Sequence, residues 1–329
     1  MTRSHFDESQ LRHPLERPIF IASVIVNLAI MVAAVVLVSL GGEWLDSHPI
    51  LKSFSKQIRA LAMVAVFAPP AIAVIRNIRR GLVRGNSVRL SREQVPEIYE
   101  ILERHCDKLG LATVPELYLA DRAVPAPALA FSTWQHDCVG INARYIERKL
   151  KASRLVLAFL LGRELGRIRL GHTKWWYEMV LSYVIRIPYL RNPMMQVQEF
   201  SHDRYGAFLE PESLPGLVIQ ASGRRLLKQI DEREFLKRTS EYGGFWAVVS
   251  NFANTMPHVS YRIKALLKAG LLTVDSRTEE AALPEEPAEL KHKHEDKSKD
   301  EADSRLADNP LKPALTAEAA PTRNNEPGT

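Results

Sequence analysis

The stretch Leu160-Leu161-Gly162-Arg163-Glu164-Leu165-Gly166-Arg167-Ile168-Arg169-Leu170-Gly171-His172 decides how the rest of this chain is read. Val156, Leu160, Arg163 and Arg167 recur at helical spacing and share one stripe. Ser153 is a candidate N-cap and Gly171 a candidate stop, so the spacing predicts a helix between them. Two guanidiniums four residues apart lie on its stripe, with Glu164 beside the first. Arginine has no free lone pair and stays protonated at accessible pH, so neither can be a metal ligand. In the local reading both project to water and Glu164 pairs with Arg167 at i and i+3.

The neighbouring sequence is helix-rich with a few strands. Ser91 and Gln94 have capping-box spacing ahead of a helix over Val95–Leu109 that stops at Gly110. Pro115–Ala120, Leu129–Thr133 and Cys138–Asn142 read as strands, the last two around a turn at Gln135–Asp137. Trp175–Leu190 is apolar and aromatic, but Glu178, Arg186 and Pro188 argue against a membrane span. It is expected to be a buried or interfacial helix. Further helices are expected at Met195–Leu209, Glu212–Gln229, Glu232–Thr239, Gly244–Thr255 and Tyr261–Ala269. The expected class is α+β.

Toward the N-terminus, Ile19–Leu40 carries no charge, and Asn27 is its one strongly polar side chain. As a helix it rises roughly 33 Å, enough for a hydrocarbon core of about 30 Å and too long for a signal-peptide core. A second apolar segment, Ala60–Ile75, is bounded by Arg59 and Arg76 and interrupted by Pro69 and Pro70. Those prolines should kink it, and the backbone groups they free need partners, most simply on the first helix. Six arginines and no acid lie from Arg76 to Arg92, whereas Glu43–Ile58 holds two acids and two lysines. The positive-inside bias therefore predicts a hairpin with both ends cytoplasmic, its arginines against anionic lipid. That places much of the net charge of +6 beside a membrane, and no nucleic-acid motif is present. Cys106 and Cys138 have no zinc-ribbon spacing and read as reduced thiols.

The expected organisation is a cytoplasmic N-terminus (1–18), a transmembrane hairpin (19–80, with spans 19–40 and about 59–76), a soluble domain (84–272) and a disordered tail (274–329). In the tail Ala, Glu, Lys, Asp and Pro dominate, too little apolar surface to order it. Its lysine–acid mixture at 291–301 could take a partner, although a solvated tail is the simpler reading.

In zincins, His-Glu-x-x-His on a helix sets two imidazoles on one face to bind zinc, while the glutamate activates a water. Arg163 and Arg167 stand where those histidines would be, and Glu164 stands at the general-base position. With Leu165, Gly166, Ile168, Gly171 and His172, the stretch resembles the HtpX-like membrane metallopeptidases, peptidase family M forty-eight, which include the CAAX prenyl-protein proteases. Three further elements of about 84–272 fit in order. Glu199-Phe200-Ser201-His202-Asp203 resembles the family's Glu-Phe/Tyr-x-Ala-Asp, which supplies the third zinc ligand. Pro127-Ala128-Leu129-Ala130 resembles a reduced Asn-Ala-Phe-Ala element. Met256-Pro257 with Arg262-Ile263-Lys264-Ala265-Leu266 resembles the family's His-Pro…Arg-Ile-x-Ala-Leu.

The resemblance implies a helix-rich, gluzincin-like α+β domain behind a two-helix transmembrane hairpin, in a cell membrane (the inner membrane if the source is bacterial) with the domain cytoplasmic. It also implies that, of three zinc ligands, only Glu199 is kept. No cofactor is then expected. Arg163 and Arg167 would replace the metal as a salt bridge to Glu199, setting helix register more than adding stability. Partners are the bilayer and, by strand addition at the sheet edge near Leu129–Asn142, peptides or membrane proteins.

Beside a purely structural membrane anchor with no ligand, two functional readings stay open. One is a zinc-free pseudopeptidase that binds or regulates. The other is an active membrane metalloendopeptidase with a non-standard site built on Glu199 and His202, which share a face at i and i+3. His172, roughly 13 Å along the helix from Arg163, cannot join Glu164 on one ion. No Gly-x-Ser-x-Gly elbow or P-loop is present, and the adjacent His105 and Cys106 point apart on their helix.

Overall fold

The computed structural model describes residues 8–124, 126–145, 151–212, 214–223 and 229–272, with side chains in the helix that begins at Lys151 described from residue 154 onward. The tail expected from Val274 lies outside these residues, as do residues 1–7. What is described forms one packed α+β unit with a four-stranded sheet.

α1 (Glu8–Leu11) leads into α2 (Glu16–Ser39). Short α3 (Gly41–Ser47) and α4 (Pro49–Lys52) turn the chain into α5 (Ser55–Gly85). α2 and α5 pack together, and both are long and apolar enough to cross a membrane. α5 runs well past the 59–76 expected. Its last three turns carry the arginines out to β1 (Val88–Leu90), a strand whose three residues are too few for their alternation to announce it.

α6 (Pro96–Leu109) begins later than the Ser91 capping box implied. Val95 holds the N-cap place in a left-handed conformation, φ 55°, and Ser91 Oγ accepts only from the Glu93 N–H. Pro96 explains this, because it keeps the residue before it out of the right-handed helical region. β2 (Glu116–Ala120), β3 (Ala128–Ser132) and β4 (Asp137–Asn142) complete the sheet in the order β1-β2-β4-β3. β2 pairs parallel with β4, and the β3–β4 hairpin leaves β3 as an edge.

α7 (Lys151–Arg169) starts at or before Lys151, so Ser153 lies inside it and is not its cap. Gly171, φ 77°, closes it, with the His172 N–H bonded to Arg167 O. The segment expected as one helix over Trp175–Leu190 is instead α8 (Trp175–Val180), a turn, and a 3-10 turn at Val184–Arg186. Its inner side is tied to α2 and α5. The Tyr183 N–H donates to Asn27 Oδ1 at 2.7 Å, giving a partner to the one strongly polar side chain of the apolar run Ile19–Leu40. Tyr183 Oη donates to Ala65 O at 2.9 Å. Ala65 is four residues before Pro69, so this is the carbonyl that the proline leaves without its helical donor. The expected partner from the first helix is thus replaced by a hydroxyl from the domain.

α9 (Arg191–Leu209) begins before Pro193, which a first turn tolerates. α10 (Leu214–Ser222) stops at Gly223, short of the Gln229 expected. α11 (Glu232–Glu241), capped by Asp231 Oδ1, α12 (Phe245–Ala253) and α13 (Val259–Lys268) follow. α6, one sheet face and α7 enclose the main core, including Ile101, Leu102, Leu117, Val139, Leu161 and Leu165. Leu11 of α1 joins it, so α1 belongs to the domain's packing.

Candidate functional site at the α7–α9 crossing

α7 and α9 approach closely because glycines meet at their contact. A Cβ on Gly166 would sit 2.4 Å from Tyr205 Cβ, and one on Gly206 would sit 2.8 Å from Arg163 Cγ. Gly206 therefore makes room for the stem of Arg163, which turns inward with Val156 and Leu160 and is 6% exposed. This crossing sets Arg163, Glu164 and Arg167 of α7 opposite Glu199, His202 and Asp203 of α9.

Both oxygens of Glu199 face guanidiniums. Arg163 Nη2 donates to Oε2, and Arg167 Nη2 donates to Oε1 at 2.8 Å. Arg163 Nε lies 2.7 Å from Asp203 Oδ1, an ion pair whose N–H is poorly aligned for a hydrogen bond. Asp203 also takes two bonds of 2.6 Å from Arg262 of α13, whose remaining arm donates to Gln220 Oε1 at 2.6 Å. Burial works against the charge on Arg163, but Asp203 and then Glu199 outweigh it and raise its pKa. Burial alone would raise the Glu199 carboxyl, yet Arg163 and Arg167 hold it well below the usual range. Glu199, buried as it is, is an anion clamped between cations.

Glu164 is also engaged. Its Oε2 accepts the Ala130 N–H of edge strand β3 at 2.6 Å and lies 3.6 Å from Arg167 Nη1. The pairing of β3 with β4 turns the backbone groups of Ala128, Ala130 and Ser132 to the free edge, so Glu164 occupies the middle of that edge.

A second chain of contacts runs from Arg167 toward α2. Arg167 Nη2 is 3.4 Å from His202 Nδ1, His202 Nε2 is 2.9 Å from His172 Nδ1, and His172 Nε2 is 3.2 Å from Glu16 Oε1. The end groups assign the protons. Arginine only donates and a carboxylate only accepts, so each histidine is neutral with its proton on Nε2. His202 Nδ1 is then an acceptor, and its 3.6 Å approach to Glu199 Oε1 shares no proton. Burial, then Arg167, pushes His202 down to about 3, and burial also lowers His172. Ser201 Oγ closes the chain by donating to Glu16 Oε2 and accepting the His13 N–H.

The residues singled out from sequence, Arg163, Glu164, Arg167 and Glu199, are brought together. The local reading is half present, since the Glu164–Arg167 approach exists, but Arg163 does not face water. Asp203 and Arg262 were quoted in motifs without a role. Glu16 went unread, although it is an acid at the foot of an apolar helix. No family model, curated protein or solved structure matches the chain. Among the described residues, no group of three or more His, Cys, Asp and Glu side chains is arranged to hold a metal ion.

A cleft of about 350 Å³ borders the cluster. It lies between β3 (Leu129, Ala130, Phe131) and Tyr177, Leu181 and Met195, with Arg167 and His172 at its inner end. That volume is in the range of small-ligand sites.

Proposed function

We propose that this chain is a membrane-anchored, HtpX-like pseudopeptidase: a zincin-like domain in which arginines take the place of the metal and a peptide is bound without being cut. One observation carries the reading. The groups that would ligate zinc and activate water are consumed by internal bonds, Glu199 by Arg163 and Arg167, and Glu164 by the Ala130 N–H. The donor set does not fit zinc, because the ion would need two imidazoles where two permanent cations sit. His202 offers no substitute, since its Nδ1 faces a guanidinium and its Nε2 faces His172.

What the cluster does in this reading is hold α7, α9 and α13 in register through Glu199 and Asp203, leaving the cleft beside β3 as the binding surface. An extended peptide entering there pairs with the edge carbonyls and N–H groups that Glu164 does not take. α2 and α5 are the two membrane crossings. The arginine-rich end of α5 is cytoplasmic, and Trp175, Trp176, Phe245 and Trp246, all exposed, sit at the lipid interface.

The test is elemental analysis of two purified full-length chains. The native chain is expected to carry no zinc above background. The Arg163→His/Arg167→His variant, which restores His-Glu-x-x-His opposite Glu199, is expected to take up about one zinc per chain. Tightly bound zinc in the native chain sinks the proposal and favours the metalloendopeptidase alternative. A folded double variant that takes up no zinc removes the zincin-like geometry.

A further inference from the structure

Where α5 leaves its apolar stretch, a cavity of about 460 Å³ opens between it and the segment after α8. Arg76, Arg79 and Arg80 line it from α5, and Arg186 lines it from the 3-10 turn. Glu178 is the one acid among its lining residues, so four guanidiniums face one carboxylate, an excess of three positive charges. Internal bonds do not absorb this excess. Arg76 pairs with Glu178 at 2.9 Å. Arg76 and Arg80 both donate to a neutral carbonyl, Thr173 O, and Arg186 donates to another, Ser182 O. Arg79 and Arg186 are both exposed and line the same cavity.

The cavity also has a direction. Ile72 and Ile75 line it ahead of the arginines, Ile72 roughly 6–12 Å before them along the helix axis and Ile75 next to Arg76. An amphiphile with an anionic head and an alkyl tail fits this gradient. A soluble anion would leave the apolar end unfilled, and a zwitterionic head would leave the excess charge standing. α5 is a candidate membrane span that carries the arginines on its outgoing turns, which puts the cavity at headgroup depth.

We infer that the Arg76–Arg79–Arg80–Arg186 cavity is a binding site for one anionic phospholipid, its phosphate among the guanidiniums and an acyl chain along Ile72 and Ile75. The inference rests on the membrane-spanning reading of α2 and α5 and is independent of the zinc question. The site lies next to the β3 cleft, sharing Arg80, Leu129, Phe131, Glu178 and Ile185 with it. A seated headgroup therefore forms part of the cleft wall.

The experiment is native mass spectrometry of the full-length chain in detergent, titrated with phosphatidylglycerol or with phosphatidylcholine of the same acyl chains. The native chain is expected to retain one phosphatidylglycerol in preference to phosphatidylcholine. Arg79→Gln/Arg186→Gln removes two exposed arginines that hold no buried carboxylate. It is expected to weaken that retention roughly 30-fold, about fivefold per arginine. Arg89→Gln/Arg92→Gln removes the same charge from outside the cavity and is expected to leave retention unchanged. Equal retention of the two lipids, an equal loss in both variants, or displacement of phosphatidylglycerol by equimolar inorganic phosphate would each overturn the site. Zinc content is read separately, so failure here leaves the pseudopeptidase reading untouched.

Discussion

Glu199 shows at the scale of one residue why the cluster is a lock more than a source of stability. Burying an ion pair costs about as much as it returns, whereas removing one partner strands the other. Glu199→Ala leaves Arg163 and Arg167 close together with no carboxylate between them, and is expected to destabilise the chain by about 3–5 kcal/mol. The apolar triple variant Arg163→Met/Arg167→Met/Glu199→Leu is expected to recover most of that loss. Thermal unfolding of the full chain in detergent checks both, and an unchanged Glu199→Ala melt would mean that the pair does not bridge the helices. His202 adds a pH dependence whose sign follows from its depressed pKa. Above pH 6.5 it is neutral folded or unfolded. Below that the unfolded chain takes up a proton that the native site refuses, because burial disfavours the charged ring and Arg167 of α7 repels it, against the pull of Glu199. Stability therefore falls as pH drops from 6.5 toward 3, by about 1.4 kcal/mol per unit for this group. His202→Gln is expected to lessen the fall in melting temperature between pH 7.5 and 5.5, and an identical fall would assign the acid sensitivity elsewhere.

At the scale of elements, the tie between the domain and the long apolar helices α2 and α5 is the least expected feature. Proline in α5 frees the Ala65 carbonyl, and Tyr183 supplies a donor from a segment that is not itself a regular helix. Tyr183→Phe keeps the ring and removes the donor, and is expected to cost about 1 kcal/mol. A lowered melting temperature with unchanged helix content is the expected readout. No change would mean that the carbonyl finds another partner. Here the sequence told of the need and not of the answer. Pro69 and Pro70 announce orphaned carbonyls, and Asn27 announces a polar group needing a partner. The residue meeting both needs is more than a hundred positions away, in a stretch whose composition resembles core helix.

For the whole molecule, the prediction is orientation. The native thiols suit cysteine labelling, since Cys106 and Cys138 are buried and burial pushes both up to about 12. Ser47→Cys in the short connection between α2 and α5 is expected to react with a membrane-impermeant maleimide on intact cells. Ser91→Cys, beyond the arginine run, is expected to react only after lysis. The reverse pattern would invert the protein and move the lipid cavity to the opposite leaflet.

The sequence alone determined what depends on short-range chemistry. Two apolar runs are long enough to span. α7 and α9 carry Arg163, Glu164, Arg167 and Glu199 at helical spacing. A left-handed glycine stops α6, and another closes the turn after α7. Tertiary structure decided which charges meet. That Asp203 shares Arg163 with Arg262 depends on how closely glycines let α7 and α9 approach, and that Glu164 caps an edge-strand N–H and Glu16 reaches His172 depends on how β3 and α2 pack beside them. They depend also on the burial of charges that no sequence spacing pairs. A charge pattern along one chain lists candidates for neutralisation, and only the packed geometry, where desolvation makes an unpaired charge intolerable, selects among them.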